Sequence, residues 1–323
     1  MTEYVFFGGK GGVGKTTVAS AYALKCARAG IDTLVVSTDP AHSTSDVFDQ
    51  EFGDEARSVE GCEKLRAMEI DPDSEVQEHL QETKRALGDQ LSAAMVSEID
   101  LQIEMAHRTP GAYEAALLDR FIDVMRETDA ERVVFDTSPT GSTLRLLSLP
   151  DLLEKWIDRL SHKREKSIDY FEMAAVGKQE PRRVREGDPI LARLAKRKER
   201  FAFAGEALRG AAFYLVCNPD ELSVRETERS LATHREYGLS VEGVVINKRT
   251  PEPEDHEEGR GARFLREKVE TERERIEEMH ASFEPPIVAA IETRVREIKG
   301  DLLEEVAVEL DVDIDRNRNR NPS

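Results

Sequence analysis

Cysteine is scarce. Cys26, Cys62 and Cys217 are odd in number and widely spaced, and no C-x-x-C occurs. They do not describe a disulfide framework, and no zinc site is expected. Long apolar runs are missing as well. The longest compact one, Ala211 to Cys217, is far short of the roughly 18 residues that span a bilayer. No basic segment precedes the first glycines, so no signal peptide is read. These absences point to a soluble cytoplasmic chain, not an integral membrane protein. Lysine is also sparse, with 14 against 32 arginines, while Asp and Glu number 65 and the net charge is −19. Binding nucleic acid needs a clustered basic face, so no nucleic acid partner is expected. Few lysines, many carboxylates and 6% aromatics match a protein kept soluble in concentrated salt, a halophilic composition whose self-repulsion salt screens.

What is present is a repeating pattern. Tyr4–Phe7, Thr33–Ser37, Arg132–Phe135, Phe213–Cys217 and Val241–Ile246 are short runs rich in β-branched and aromatic residues. They read as buried parallel strands, with Leu65–Ile70 and Ile287–Ile291 as weaker ones. Helical stretches alternate with them, so the predicted fold class is α/β: a doubly wound, mostly parallel sheet with α-helical insertions. Leu87, Leu91, Met95, Ile99 and Ile103 recur every four residues, and Leu117, Leu118, Phe121, Ile122 and Met125 mark a further helix. The sheet-bearing core is placed at 1–72, 130–150, 211–250 and 285–313. A helical subdomain takes 73–129 and 151–210, a charged helical insertion 251–284, and a flexible tail 314–323.

The strongest motif is Gly8-Gly9-Lys10-Gly11-Gly12-Val13-Gly14-Lys15-Thr16-Thr17, which contains G-x-x-x-x-G-K-T between a strand and a helix pattern. Glycines let successive N–H groups turn toward an anion, and the helix that follows adds partial positive charge. Lys15 is expected to reach the β- and γ-phosphates of ATP and Thr16 to ligate Mg2+. The second lysine, Lys10, gives the deviant loop K-G-G-V-G-K-T found in the MinD, ParA, nitrogenase iron protein and ArsA groups, where it reaches a partner's nucleotide. A further cation beside a phosphoryl group stabilises transition-state charge; the alternative is that Lys10 only neutralises its own site.

Two segments follow at the carboxyl ends of strands, where ligands of open α/β sheets gather. In Ser37-Thr38-Asp39-Pro40-Ala41-His42-Ser43-Thr44-Ser45-Asp46, Asp39 is placed to activate water, or Asp-Pro merely starts a turn. Val133-Val134-Phe135-Asp136 ends an apolar strand on a carboxylate suited to the magnesium side. It continues as Thr137-Ser138-Pro139-Thr140-Gly141-Ser142-Thr143-Leu144-Arg145.

Together with Met68-Glu69-Ile70-Asp71-Pro72, Arg225-Glu226-Thr227-Glu228-Arg229 and Val245-Ile246-Asn247, these motifs resemble the ArsA family over about residues 1–310. That family includes arsenite-pump ATPases and the targeting ATPases of tail-anchored membrane proteins. The resemblance implies a P-loop ATPase that works as a homodimer with ATP and Mg2+. Gly9, Lys10, Gly11, Gly12, Val13, Gly14, Lys15, Thr16 and Thr17 would bind the nucleotide. Asp39, Lys10 and Lys15 would be catalytic. Thr16 would ligate magnesium, with Asp39 and Asp136 in its outer shell, and Asn247 and Glu297 would lie on the adenine side. Departures are Ser142 in place of a family His, and His256-Glu257-Glu258-Gly259-Arg260-Gly261 where targeting members carry a zinc-binding C-x-x-C. The three cysteines do not cluster in sequence as a metalloid site would.

The implied role is targeting or chaperoning of tail-anchored proteins, with transmembrane segments and a membrane receptor as partners. The alternatives are the ATPase of an arsenite or anion efflux pump and a MinD- or ParA-like partition ATPase. Ile168, Tyr170, Phe171, Met173 and Val176, with Met95, Met105 and Met125, either line a client groove or form ordinary helical core.

Overall fold

The computed structural model describes residues 2–38, 43–71, 74, 112–137, 155, 157–166, 189–312 and 314. Its strands are β1 (Glu3–Gly9), β2 (Thr33–Ser37), β3 (Arg57–Val59), β4 (Cys62–Glu69), β5 (Arg132–Asp136), β6 (Ala212–Cys217), β7 (Val241–Arg249) and β8 (Ile287–Glu292). Its helices include α1 (Lys15–Arg28), α2 (Ser43–Phe48), α3 (Ala112–Glu127), α4 (Pro189–Gly210), α5 (Glu221–Glu236), α6 (Arg260–Ser282) and α7 (Asp301–Glu309). One sheet has the order β3-β4-β2-β5-β1-β6-β7-β8. Every pairing is parallel except β3 with β4.

All seven predicted strands form. Their apolar residues run without polar alternation because both faces of the sheet are covered. Val5, Phe7, Val35, Val134, Tyr214 and Val216 face the side of α1 and α7. Phe6, Leu34, Val36, Val133, Phe135 and Phe213 face the side of α3 and α4. The predicted helical residues Leu117, Leu118, Phe121, Ile122 and Met125 are all buried on that second face. Met125 therefore packs in the core among the described residues, and the other residues of the groove expectation lie outside them. The strand that sequence reading missed is β3, a three-residue edge with one buried side chain.

The charged stretch 251–284 carries α6, a 23-residue helix in which only Glu272 and Met279 are buried. His256 is exposed in the turn ahead of it. All three cysteines are buried and free. Cys26 accepts from Arg132 at the amino edge of the sheet, whereas Cys217 ends β6 at the opposite edge.

β1 sits in the middle, between β5 and β6. The chain leaves β1 toward β2 on one side and later returns from β5 to β6 on the other. The crevice outside the carboxyl end of β1 is thus a topological switch point, where open α/β sheets bind ligands.

Candidate active site

At that crevice the glycine-rich loop joins β1 to α1, and its glycines are used for what only glycine does. Gly12 has φ +80° and Gly14 φ +88°. A Cβ on Gly14 would lie 2.3 Å from Asn247 Nδ2, and one on Gly9 2.3 Å from the Val216 carbonyl oxygen. Gly14 caps α1 and, lacking a side chain, makes no side-chain bond to its first-turn N–H groups.

Lys15 is 9% exposed, and its Nζ donates to the Lys10 carbonyl at 3.2 Å. The Thr16 hydroxyl donates to Asp136 Oδ2 at 2.6 Å, and the Ser37 hydroxyl to the same oxygen at 3.2 Å. Asp136 is 1% exposed, so its charge depends on such donors. β5 lies beside both β1 and β2, and the register pairs Asp136 with Phe7 and Ser37. Thr137 ties the strand end to the Phe7 carbonyl through its hydroxyl at 3.0 Å.

A cavity of about 690 Å³ opens above this floor. Its walls are the loop and α1 start, Ser43, Asp46 and Val47 of α2, Asn247 and Lys248 of β7, and residues 292–294 and 296–299 ahead of α7. The lining holds Lys15, Lys248, Arg294, Arg296 and Lys299 against Asp46, Glu292 and Glu297. A basic hollow in a chain of net charge −19 selects for an anion.

The predicted residues fall as follows. Gly12, Gly14, Lys15, Thr16, Thr17, Asn247 and Glu297 line the cavity. Val13 packs in the core, and its carbonyl accepts from Asn247 Nδ2 at 2.8 Å. Gly11 is exposed at the loop tip, while Gly9 is buried at its base, against β6. Lys10 is half-buried and turns its carbonyl to Lys15. Asp136 lies beneath Thr16. Asp39 and Ser142 lie outside the described residues.

Three contributors escaped sequence reading. Ser37 shares Asp136 with Thr16, and its only signal is a hydroxyl ending an apolar strand. Lys248 donates to the Gly12 carbonyl at 2.6 Å. Glu69, 4% exposed, accepts from the Ser45 backbone N–H and hydroxyl, both at 2.9 Å, and so pins α2 at the cavity wall.

Comparison with known proteins fits this geometry. The profile of the ArsA ATPase family, described as anion-transporting ATPase, matches residues 2–311. The chain belongs to this family. It is an ATPase on a P-loop fold. It is 31% identical to ATPase get3 of Aspergillus terreus over 301 residues, which are 92% of this chain and 87% of that protein. It is 33% identical to ATPase GET3 of Chaetomium globosum over 306 residues, 92% of this chain and 86% of that one. It is 32% identical to ATPase get3 of Aspergillus niger, again with 92% and 86% covered. Among the described residues, no helix is long and apolar enough to cross a membrane.

Proposed function

We propose that this ATPase is a magnesium-dependent, nucleotide-switched homodimer that targets or chaperones tail-anchored membrane proteins. One observation carries the nucleotide site: the Thr16 hydroxyl and the buried Asp136 carboxylate meet at 2.6 Å beneath a glycine loop beside a basic cavity. An oxygen-only donor pair suits Mg2+, a hard cation that keeps much of its water. Thr16 would ligate it directly, with Asp136 and Asp39 in the outer shell. Bound magnesium neutralises charge on the phosphates. The chain's own groups do the rest. Loop N–H groups cradle the anion, and Lys15 and Lys10 bring ammonium charge to the phosphoryl group being transferred. Asp39 orients the attacking water. Asn247 and Glu297 bound the adenine side. The helical subdomain at 73–129 and 151–210 would carry the client.

Support for the targeting role is the set of relatives named get3, each matched over nearly the whole chain. Co-expression with a protein bearing one C-terminal transmembrane helix tests it. A soluble complex, lost on mixing in ADP, is expected; no complex across several such clients would overturn the role. The second reading is anion efflux, favoured by the family's description. Against it stand three buried cysteines, two of them at opposite edges of the sheet. Stimulation of the ATPase by arsenite would move the balance to efflux.

A further inference from the structure

Successive residues of a strand point to opposite faces. Along β7 this holds as far as Asn247: Val244 and Ile246 pack on the side of Met279 and Phe283, whereas Val245 packs on the side of α1. Asn247 follows Val245 and bonds the phosphate loop. Lys248 is due on the other face, yet its ammonium reaches the same loop.

The backbone supplies the reason. Lys248 has φ +57°, a left-handed conformation that L-residues with a Cβ avoid. At this point β7 takes three steps, from Ile246 to Arg249, where β8 takes two, from Ala290 to Glu292. One extra residue in one strand is a β-bulge, which re-aims a side chain. The outcome is that neighbouring side chains grip neighbouring carbonyls: Asn247 Nδ2 at Val13 (2.8 Å) and Lys248 Nζ at Gly12 (2.6 Å). In a trans peptide the N–H lies opposite the carbonyl, so holding these two carbonyls fixes the direction of the Val13 N–H, which donates to the Lys10 carbonyl at 3.4 Å, and of the Gly14 N–H at the start of α1.

We propose that Asn247 and Lys248 form a clasp that holds the phosphate loop in its anion-binding shape before nucleotide arrives, with Lys248 as a positioning residue. The proposal rests on the reading of residues 9–17 as the cradle of the triphosphate. Lys248 acts through the loop, so ATP, ADP and the transition state gain alike from it. Its loss raises KM and leaves turnover largely intact.

The test compares Lys248→Gly and Lys248→Asn, which both tolerate positive φ and lack the ammonium, with Lys248→Arg and Lys15→Ala. ADP titration, ATPase kinetics and hydrogen exchange of the peptide 8–17 without nucleotide are the readouts. In both Lys248→Gly and Lys248→Asn, ADP affinity is expected to fall about tenfold, the worth of one charged hydrogen bond. KM for ATP rises in step, kcat falls less than threefold, and exchange across 8–17 quickens. Lys248→Arg restores affinity to within threefold. Wild-type ADP affinity in both variants, with Lys15→Ala unable to bind, would overturn the clasp alone. Weaker affinity with unchanged exchange would also overturn it, since Lys248 would then act on the phosphates by charge. ADP binding that survives in Lys15→Ala would instead sink the reading of the cradle.

Discussion

β5 carries a buried charge at each end, and the two ends are built differently. Arg132, 3% exposed, begins the strand at the closed edge of the sheet. Its guanidinium donates to Glu3, to Cys26 Sγ at 3.0 Å and to the Ile314 carbonyl at 2.8 Å, and lies over the Tyr22 ring. Burial pushes the Cys26 thiol and the Tyr22 phenol up, so both stay neutral beside it. Asp136 ends the strand four residues later at the open edge. Its described donors are the hydroxyls of Thr16 and Ser37, short side chains that lie under a cavity. A buried charge held by a fixed opposite charge contributes to the fold. One that meets the hydroxyls of Thr16 and Ser37 beside a basic hollow is placed to meet a ligand.

Variants at the two ends should fail in different ways. Arg132→Met leaves Glu3 without its partner and is expected to cost about 3 kcal/mol of unfolding free energy, read by urea denaturation. ADP affinity should be unchanged below the melting point. An Arg132→Met/Glu3→Leu double variant recovers part of the loss. Asp136→Asn is expected to lower kcat about 100-fold or more with little change in the denaturation midpoint. If it lost stability and kept its rate, the contrast between the two edges would be wrong. The acidic composition makes a second contrast, with the basic cavity. The melting temperature should rise by several degrees from dilute buffer to molar KCl, as screening relieves self-repulsion; equal values would refute the halophilic reading.

The smallest effect concerns His234, 4% exposed on α5. Its Nδ1–H donates to the Ser230 carbonyl at 2.8 Å, and burial lowers its pKa. The unfolded chain therefore binds more protons, and stability is full above the ordinary value of about 6.5. It falls as pH drops below that toward the lowered folded value. His234→Leu should flatten this acid limb of the stability profile.

The strands and the phosphate loop were legible because their signals are local. Short apolar runs without alternation announce a doubly covered sheet, and G-x-x-x-x-G-K-T has one mechanical purpose. The edge strand β3 was not legible, since three residues with one buried side chain carry no period. The partners of Asp136 were half legible. Thr16 belongs to a motif, but Ser37 joins it only through the pairing of β2 with β5. Lys248 was invisible, because its reach depends on a bulge set by pairing with β8, a long-range fact with no trace in the residues alongside. Glu69 ended an apolar run and could have been flagged as a buried carboxylate needing a partner.

The proposed site is an open edge whose glycine loop and two lysines grip a magnesium nucleotide. Calorimetric titration of the wild-type chain and Lys15→Ala with ADP, with and without Mg2+, tests it most directly. Saturable one-site binding by the wild type, tightened by Mg2+ and lost in Lys15→Ala, is the predicted result. Heats that match buffer dilution for the wild type, or that are the same for both proteins, would contradict it.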